Sequence, residues 1–346
     1  MSDAELIVVG GGPVGLATAI EARRAGIDAL VVEPREGVID KACGEGIMPG
    51  AIPALSRLGV ARTHGSPIAG IDYRDPRRSV SHRFAGGPGL GMRRTVLHAA
   101  LLERAAELGV RWRHARVTRV DAGGDLATVW TDDDATVRAD WLVAADGLHS
   151  PVARSVGLAL PELRARRRFG QRRHFGVAPW TDLVEVYWTP AGELYVTPLA
   201  GEVGVALLAP RGVRFADALA ASGELAERLD GADATSELRG AGPFRQRTRA
   251  RSRGRVLLAG DASGYVDALT AEGLRIGFDQ ARLAVEAIRA GDPAGYERAW
   301  AHSTRDFRVL TSRLVRVASS PLRGAVVPTA ATLPGRFAAA VERIAR

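Results

Sequence analysis

The stretch that most limits what this chain can become is its beginning, "ELIVVGGGPVGLATAIEARRAGIDALVVEPR". Leu6 to Val9 form an apolar run of the kind buried in a parallel sheet. Gly10, Gly12 and Gly15 follow in the spacing G-x-G-x-x-G, and a helix-period stretch runs to Arg24 before Gly26 stops it. A second apolar strand, "IDALVVE", ends in Glu33, 18 residues after the last glycine. The glycines permit a tight turn and let the backbone approach a pyrophosphate, whose charge meets the helix N-terminus. Ala19 keeps the helix close to the sheet, and Glu33 stands where a carboxylate accepts hydrogen bonds from a ribose diol. Together these parts predict an α/β, Rossmann-like dinucleotide-binding domain.

Composition narrows the rest. The 346 residues have room for one large domain or two ordinary ones, with 46% apolar and 25% charged residues. The net charge of +8 comes from arginine, since Lys41 is the only lysine. Arginine is spread over every segment and no RNA-binding aromatic motif is present, which argues against a nucleic-acid partner. The single cysteine, Cys43, excludes an internal disulfide and a cysteine-based metal cluster, and no His-rich cluster points to a metal. No apolar run reaches the roughly 18 residues of a transmembrane helix, and the first residues lack a signal-peptide pattern. The expected location is cytoplasmic.

Two later stretches sharpen the nucleotide reading. "WLVAADGLHSPVARSVG" (141–157) is an apolar strand followed by Asp146-Gly147, and "GRVLLAGDASGYVDALTAEGLRIGFDQARLAVEAI" (254–288) is a strand, then Gly260-Asp261, a loop and a long helix. With the N-terminal motif they resemble, in order and over essentially the whole chain, the fingerprints of the FAD-dependent geranylgeranyl reductase and flavoprotein aromatic hydroxylase (p-hydroxybenzoate hydroxylase-like) superfamily. That resemblance implies FAD as cofactor, held by Gly10, Gly12, Pro13, Gly15, Glu33, Arg35, Cys43, Gly44, Arg94, Val117, Asp146, Gly260, Asp261, Ala271, Gly273 and Leu274. It places Asp261 on the ribityl chain. The helix beginning near Leu274 would aim its dipole at the flavin edge that gains negative charge on reduction. The sequence departs from the family at Ala268, where proline is usual, at Ala271, where glycine is usual, and at Ala153, where arginine often stands. No second G-x-G-x-x-G exists, so NAD(P)H would bind transiently as electron donor, or a separate reductase would replace it.

Residues 1–65, 89–158 and 252–290 are assigned to a discontinuous FAD-binding domain. "GLGMRRTVLHAALLERAAELGVRW" (89–112) reads as a helix, and 113–140 as a β-meander. Residues 66–88 and 159–251 read as an antiparallel sheet, the substrate domain. Here the resemblance implies a roof over the flavin, with His174, Trp188 and Tyr195 as candidate pocket residues. Residues 291–346 read as a helical cap broken at Pro321, Pro328 and Pro334. Its last helix, "RFAAAVERIAR", is cationic and amphipathic, a form suited to packing on the cap or to peripheral membrane contact.

The loop "KACGEGIMP" (41–49) follows the ribose-binding strand. It resembles the K-x-C-G loop that the reductase branch carries over the flavin. Gly44 and Gly46 allow close approach to a flat ring, and Cys43 and Glu45 become the catalytic candidates. Three functions stay open. A monooxygenase hydroxylating or epoxidising a hydrophobic small molecule is narrowly preferred. A geranylgeranyl-reductase-like enzyme saturating carbon–carbon double bonds comes next. A flavoprotein partner that matures the cofactor of another protein is the third.

Overall fold

The computed structural model describes residues 2–61, 65–161 and 167–346. Strand β1 (Ala4–Val9) lies at the centre of the first sheet, parallel to the strand Ala29–Val32 on one side and Thr136–Ala144 on the other. Arg111–Arg113 and Val256–Leu258 extend the parallel order at the two flanks. A strand covered on both faces needs apolar groups at every position. Leu6, Ile7 and Val8 are fully buried accordingly. Leu6 and Val8 face the helices Pro13–Arg24, Arg94–Glu107 and Gly273–Ala290. Ile7 and Val9 face the meander of Val117–Asp121, Ala127–Thr131 and Thr136–Ala144.

A second sheet of seven strands runs in the order Arg239–Ala241, Arg168–Phe175, Val203–Pro210, Glu193–Pro198, Leu183–Trp188, Gly70–Asp75 and Arg78–Arg83. Its pairings are antiparallel except for Leu183–Trp188 beside Gly70–Asp75. A small sheet of Gly46–Ile47, Gly89–Gly91 and Ser66–Ile68 lies alongside. The helix expected from residue 89 therefore begins only at Arg94. Gly91 explains the delay: a Cβ there would stand 1.9 Å from the Pro198 carbonyl oxygen, so this segment serves as a closely packed strand.

The C-terminal residues form helices Pro293–Ala318, Val326–Thr332 and Pro334–Ala345. Pro328 does not break the second of these. It occupies the first turn, where a missing N–H costs no helical bond. The amphipathic helix Pro334–Ala345 does not offer its apolar face to a membrane. Phe337, Val341 and Ile344 are buried with Tyr73 of the second sheet and with Phe84 just past its edge strand. No described helix is long and apolar enough to cross a membrane.

Phe278, fully buried in the helix Gly273–Ala290, joins that helix to the core over β1. Phe278→Ala is expected to lower stability by about 3–5 kcal/mol, read as a lower denaturant midpoint with an unchanged m-value.

Candidate active site

Between the two sheets lies a cavity of about 620 Å³. Its floor is the glycine turn: a Cβ on Gly10, whose φ is +102°, would meet the Ala145 carbonyl oxygen at 2.6 Å. Gly12 is open toward the cavity, its nearest neighbour being Arg94 Nη2 at 3.9 Å from a Cβ position. Gly15 does not line the cavity. Its Cβ would stand 1.8 Å from the Gly10 carbonyl oxygen, so its part is to let helix and turn touch. The other cofactor positions expected from sequence all line this one cavity: Gly10, Gly12, Pro13, Glu33, Arg35, Cys43, Gly44, Arg94, Val117, Asp146, Gly260, Asp261, Ala271, Gly273 and Leu274.

Glu33 shows how the ribose end is held ready. Its carboxylate accepts from the N–H of Gly11 at 2.8 Å and from Arg35 Nε at 2.7 Å. Burial alone would raise its pKa, but Arg35 and the two backbone N–H groups outweigh burial and hold it below the usual glutamate value. His98 braces the same turn from the helix Arg94–Glu107. Its Nδ1 accepts from the Ile39 N–H at 3.3 Å, which leaves Nε2 to donate to the Gly11 carbonyl at 2.7 Å. Burial pushes its pKa down and keeps it neutral. Sequence reading passed over His98, although it sits one turn after Arg94 on the same helix.

Three groups in the cavity fit a bound FAD because they have hydrogen-bonding capacity left unused among the described residues. Arg94 has a buried Nε with no partner, next to the open face of Gly12, where a pyrophosphate would rest. Asp261 receives no hydrogen bond on its carboxylate among the described residues. Burial raises its pKa against the pull of Lys41 and Arg94, as suits a group awaiting ribityl hydroxyls. Lys41 lines the cavity with its Nζ 3.6 Å from where a Cβ on Gly147 would stand. The helix Gly273–Ala290 opens onto the cavity with no side-chain cap, leaving its first-turn N–H groups free to face an electron-rich ring edge. Asp146 plays a different part: its carboxylate accepts from Ser150 Oγ at 2.6 Å and from the Val152 N–H at 3.0 Å, so it shapes the loop.

The loop over this cavity is fixed by buried polar contacts. Glu45 has φ of +59° and is 3% exposed. Its Oε1 accepts from the Arg94 N–H at 2.9 Å, and its Oε2 lies 2.5 Å from His174 Nε2. Both oxygens are thus occupied by contacts within the protein, while Glu45 also lines the cavity. His174 does not wall the pocket either; it lies behind Glu45, with Nδ1 2.8 Å from Ser236 Oγ. Arg172, on the same strand face and absent from the sequence-based candidates, binds Asp40 and lies 3.7 Å from Glu45 Oε1. Thr197 Oγ1 donates to the Gly44 carbonyl at 2.7 Å. Cys43 faces the cavity, its Sγ accepting from the Glu45 N–H at 3.4 Å.

Of the roof candidates, Tyr195 lines the cavity and donates to the Leu269 carbonyl at 3.2 Å. Trp188 does not line it. It packs 5.4 Å from Tyr73, which lies 5.1 Å from Phe337, so the C-terminal helix covers it. Val184, four residues earlier on the same face, takes the wall position, with Met48, Leu208 and Phe244.

A parallel-sheet dinucleotide cradle roofed by an antiparallel sheet defines a flavoprotein of the oxidoreductase class. The chain belongs to the FAD binding domain family, whose sequence profile matches residues 3–290. It is 29% identical to the menaquinone reductase of Mycolicibacterium smegmatis, over 95% of this chain and 89% of that one. It is 28% identical to digeranylgeranylglycerophospholipid reductase 1 of Methanopyrus kandleri, over 87% of each. The solved p-nitrophenol 4-monooxygenase of Pseudomonas putida DLL-E4 superposes with a TM-score of 0.82 at 21% identity, covering 99% of this chain and 95% of that one, a likeness of fold. The protein is an FAD-dependent oxidoreductase.

Two measurements check this site. Arg94→Ala is expected to weaken FAD binding by about tenfold or more, measured by flavin fluorescence titration, with an unchanged circular dichroism spectrum. Ala271 has φ of +53°, a left-handed conformation that costs an alanine about 1 kcal/mol more than a glycine. Ala271→Gly is therefore expected to raise stability by about 1 kcal/mol in denaturant titration.

Proposed function

We propose that the enzyme saturates a carbon–carbon double bond in a hydrophobic, prenyl-bearing substrate. The observation that carries this reading is the cavity's apolar end. Met48, Val184, Leu208 and Phe244 line the same cavity as the FAD cradle and the Cys43–Gly46 loop. Bound FAD would supply the hydride. The residues of the chain hold the geometry: Glu45, Arg172 and Thr197 fix the loop, and Cys43 presents its thiol on the cavity side. The half-buried Tyr195 and the buried Val184 would keep water from the apolar end. The two reductases named above, each aligned over most of its length, support this reading over hydroxylation, which sequence alone narrowly preferred. Electrons would come from transiently bound NAD(P)H or a separate reductase.

The test is the fate of the reduced holoenzyme. Mixed anaerobically with a prenylated quinone or prenyl lipid, it is expected to reoxidise while one double bond of the substrate gains a hydrogen pair, read by mass spectrometry. Reoxidation that needs oxygen and yields an oxygenated product would replace this reading with monooxygenase chemistry. Cys43→Ala is expected to keep its FAD and lose about tenfold to a hundredfold in kcat. Unchanged kinetics would return Cys43 to packing.

A further inference from the structure

We propose that the outer face of the helix Pro293–Ala318 is a docking surface for an anionic lipid bilayer. The charge distribution is the first reason. Residues 293–346 carry nine arginines against three carboxylates, so this sixth of the chain holds most of the net charge of +8 while the rest is nearly balanced. The remainder of the chain is also rich in arginine, but its 37 arginines and one lysine face 36 carboxylates.

Placement is the second reason. The helix turns Tyr296, Trp300, Thr304, Phe307 and Thr311 inward. On the opposite stripe, at helical spacing, stand Arg305, Val309, Arg313 and Arg316, all exposed. Arg305, Arg313 and Arg316 form no ion pair among the described residues, and the one carboxylate beside them, Asp306, is engaged by Arg343 at 2.9 Å. Two exposed apolar residues accompany the stripe: Val309 within it is 46% exposed, and Leu322, just past the helix end, is 65% exposed. Arginines that pair with lipid phosphates beside aliphatic groups that enter the acyl boundary are the chemistry of an interfacial helix. An acidic protein surface would match the charges but leave Leu322 without a role.

The inner side of this cap packs in the same apolar cluster as Met48, Val184, Leu208 and Phe244, which wall the cavity. Docking would bring the apolar end of the cavity close to the bilayer. The inference concerns a surface alone and stands whichever reaction the enzyme performs.

The FAD-loaded full chain is to be sedimented with phosphatidylcholine vesicles, with and without phosphatidylglycerol, over a salt series. Binding is expected only with phosphatidylglycerol, weakening as salt rises. The triple variant Arg305→Glu, Arg313→Glu, Arg316→Glu is expected to bind at least about tenfold more weakly with its FAD absorbance intact. Leu322→Ser is expected to weaken binding in the same direction. If the triple variant does not fold, Arg313→Gln with Arg316→Gln carries the same test. Absence of binding at low salt, or equal binding by wild type and charge variants, overturns the proposal. So does loss of binding in inorganic phosphate but not in chloride of equal ionic strength, which would mark a discrete phosphate site.

Discussion

The carboxylate of Glu45 is the point through which the two layers of this protein hold each other. It belongs to the loop after the first βαβ unit, yet it binds the first N–H of the helix Arg94–Glu107 and the imidazole of His174 on the roof strand. A buried carboxylate is stable only when its oxygens are occupied, and hydrogen bonds to a charged group are worth about 1.5–3 kcal/mol each. The loop cannot shift without exposing that charge to an apolar surround. Its left-handed backbone, unusual for a residue with a side chain, is held by the same contacts. The cavity keeps its shape because three separate chain segments meet on one acid.

The nucleotide half was legible because its residues act locally. Turn, helix and strand lie within about thirty residues, and their glycines are required by contacts as close as 1.8 Å. The meander and the roof strands were also readable from alternation and turn residues. What escaped depends on pairs distant in sequence. Glu45 and His174 are 129 residues apart, so their contact was invisible when each was judged alone, and His174 looked like a pocket wall. Trp188 was misplaced because its cover, Phe337, arrives from the C-terminal helix. The alternation Arg168, Arg172, His174 on one strand face was a signal for a polar row under the roof, and it was readable.

The departure at Ala271 has a physical meaning that sequence alone only marked. An alanine occupies a left-handed position beside the uncapped helix N-terminus, so the loop accepts strain at this point. Local preference yields there to the requirement that the helix point into the cavity, a conflict of the kind found at functional sites.

Among the described residues, the Nε of Arg94 and the side chains of Lys41 and Asp261 stand in the cavity without hydrogen-bond partners. Their charges cannot all be satisfied by the fold itself, and the flavin nucleotide is what completes them. The mature structure is therefore a joint product of polypeptide and vitamin. Binding to the folded chain alone draws the population away from the unfolded one in proportion to the free nucleotide present. Losing the nucleotide therefore weakens the fold as well as removing its redox group.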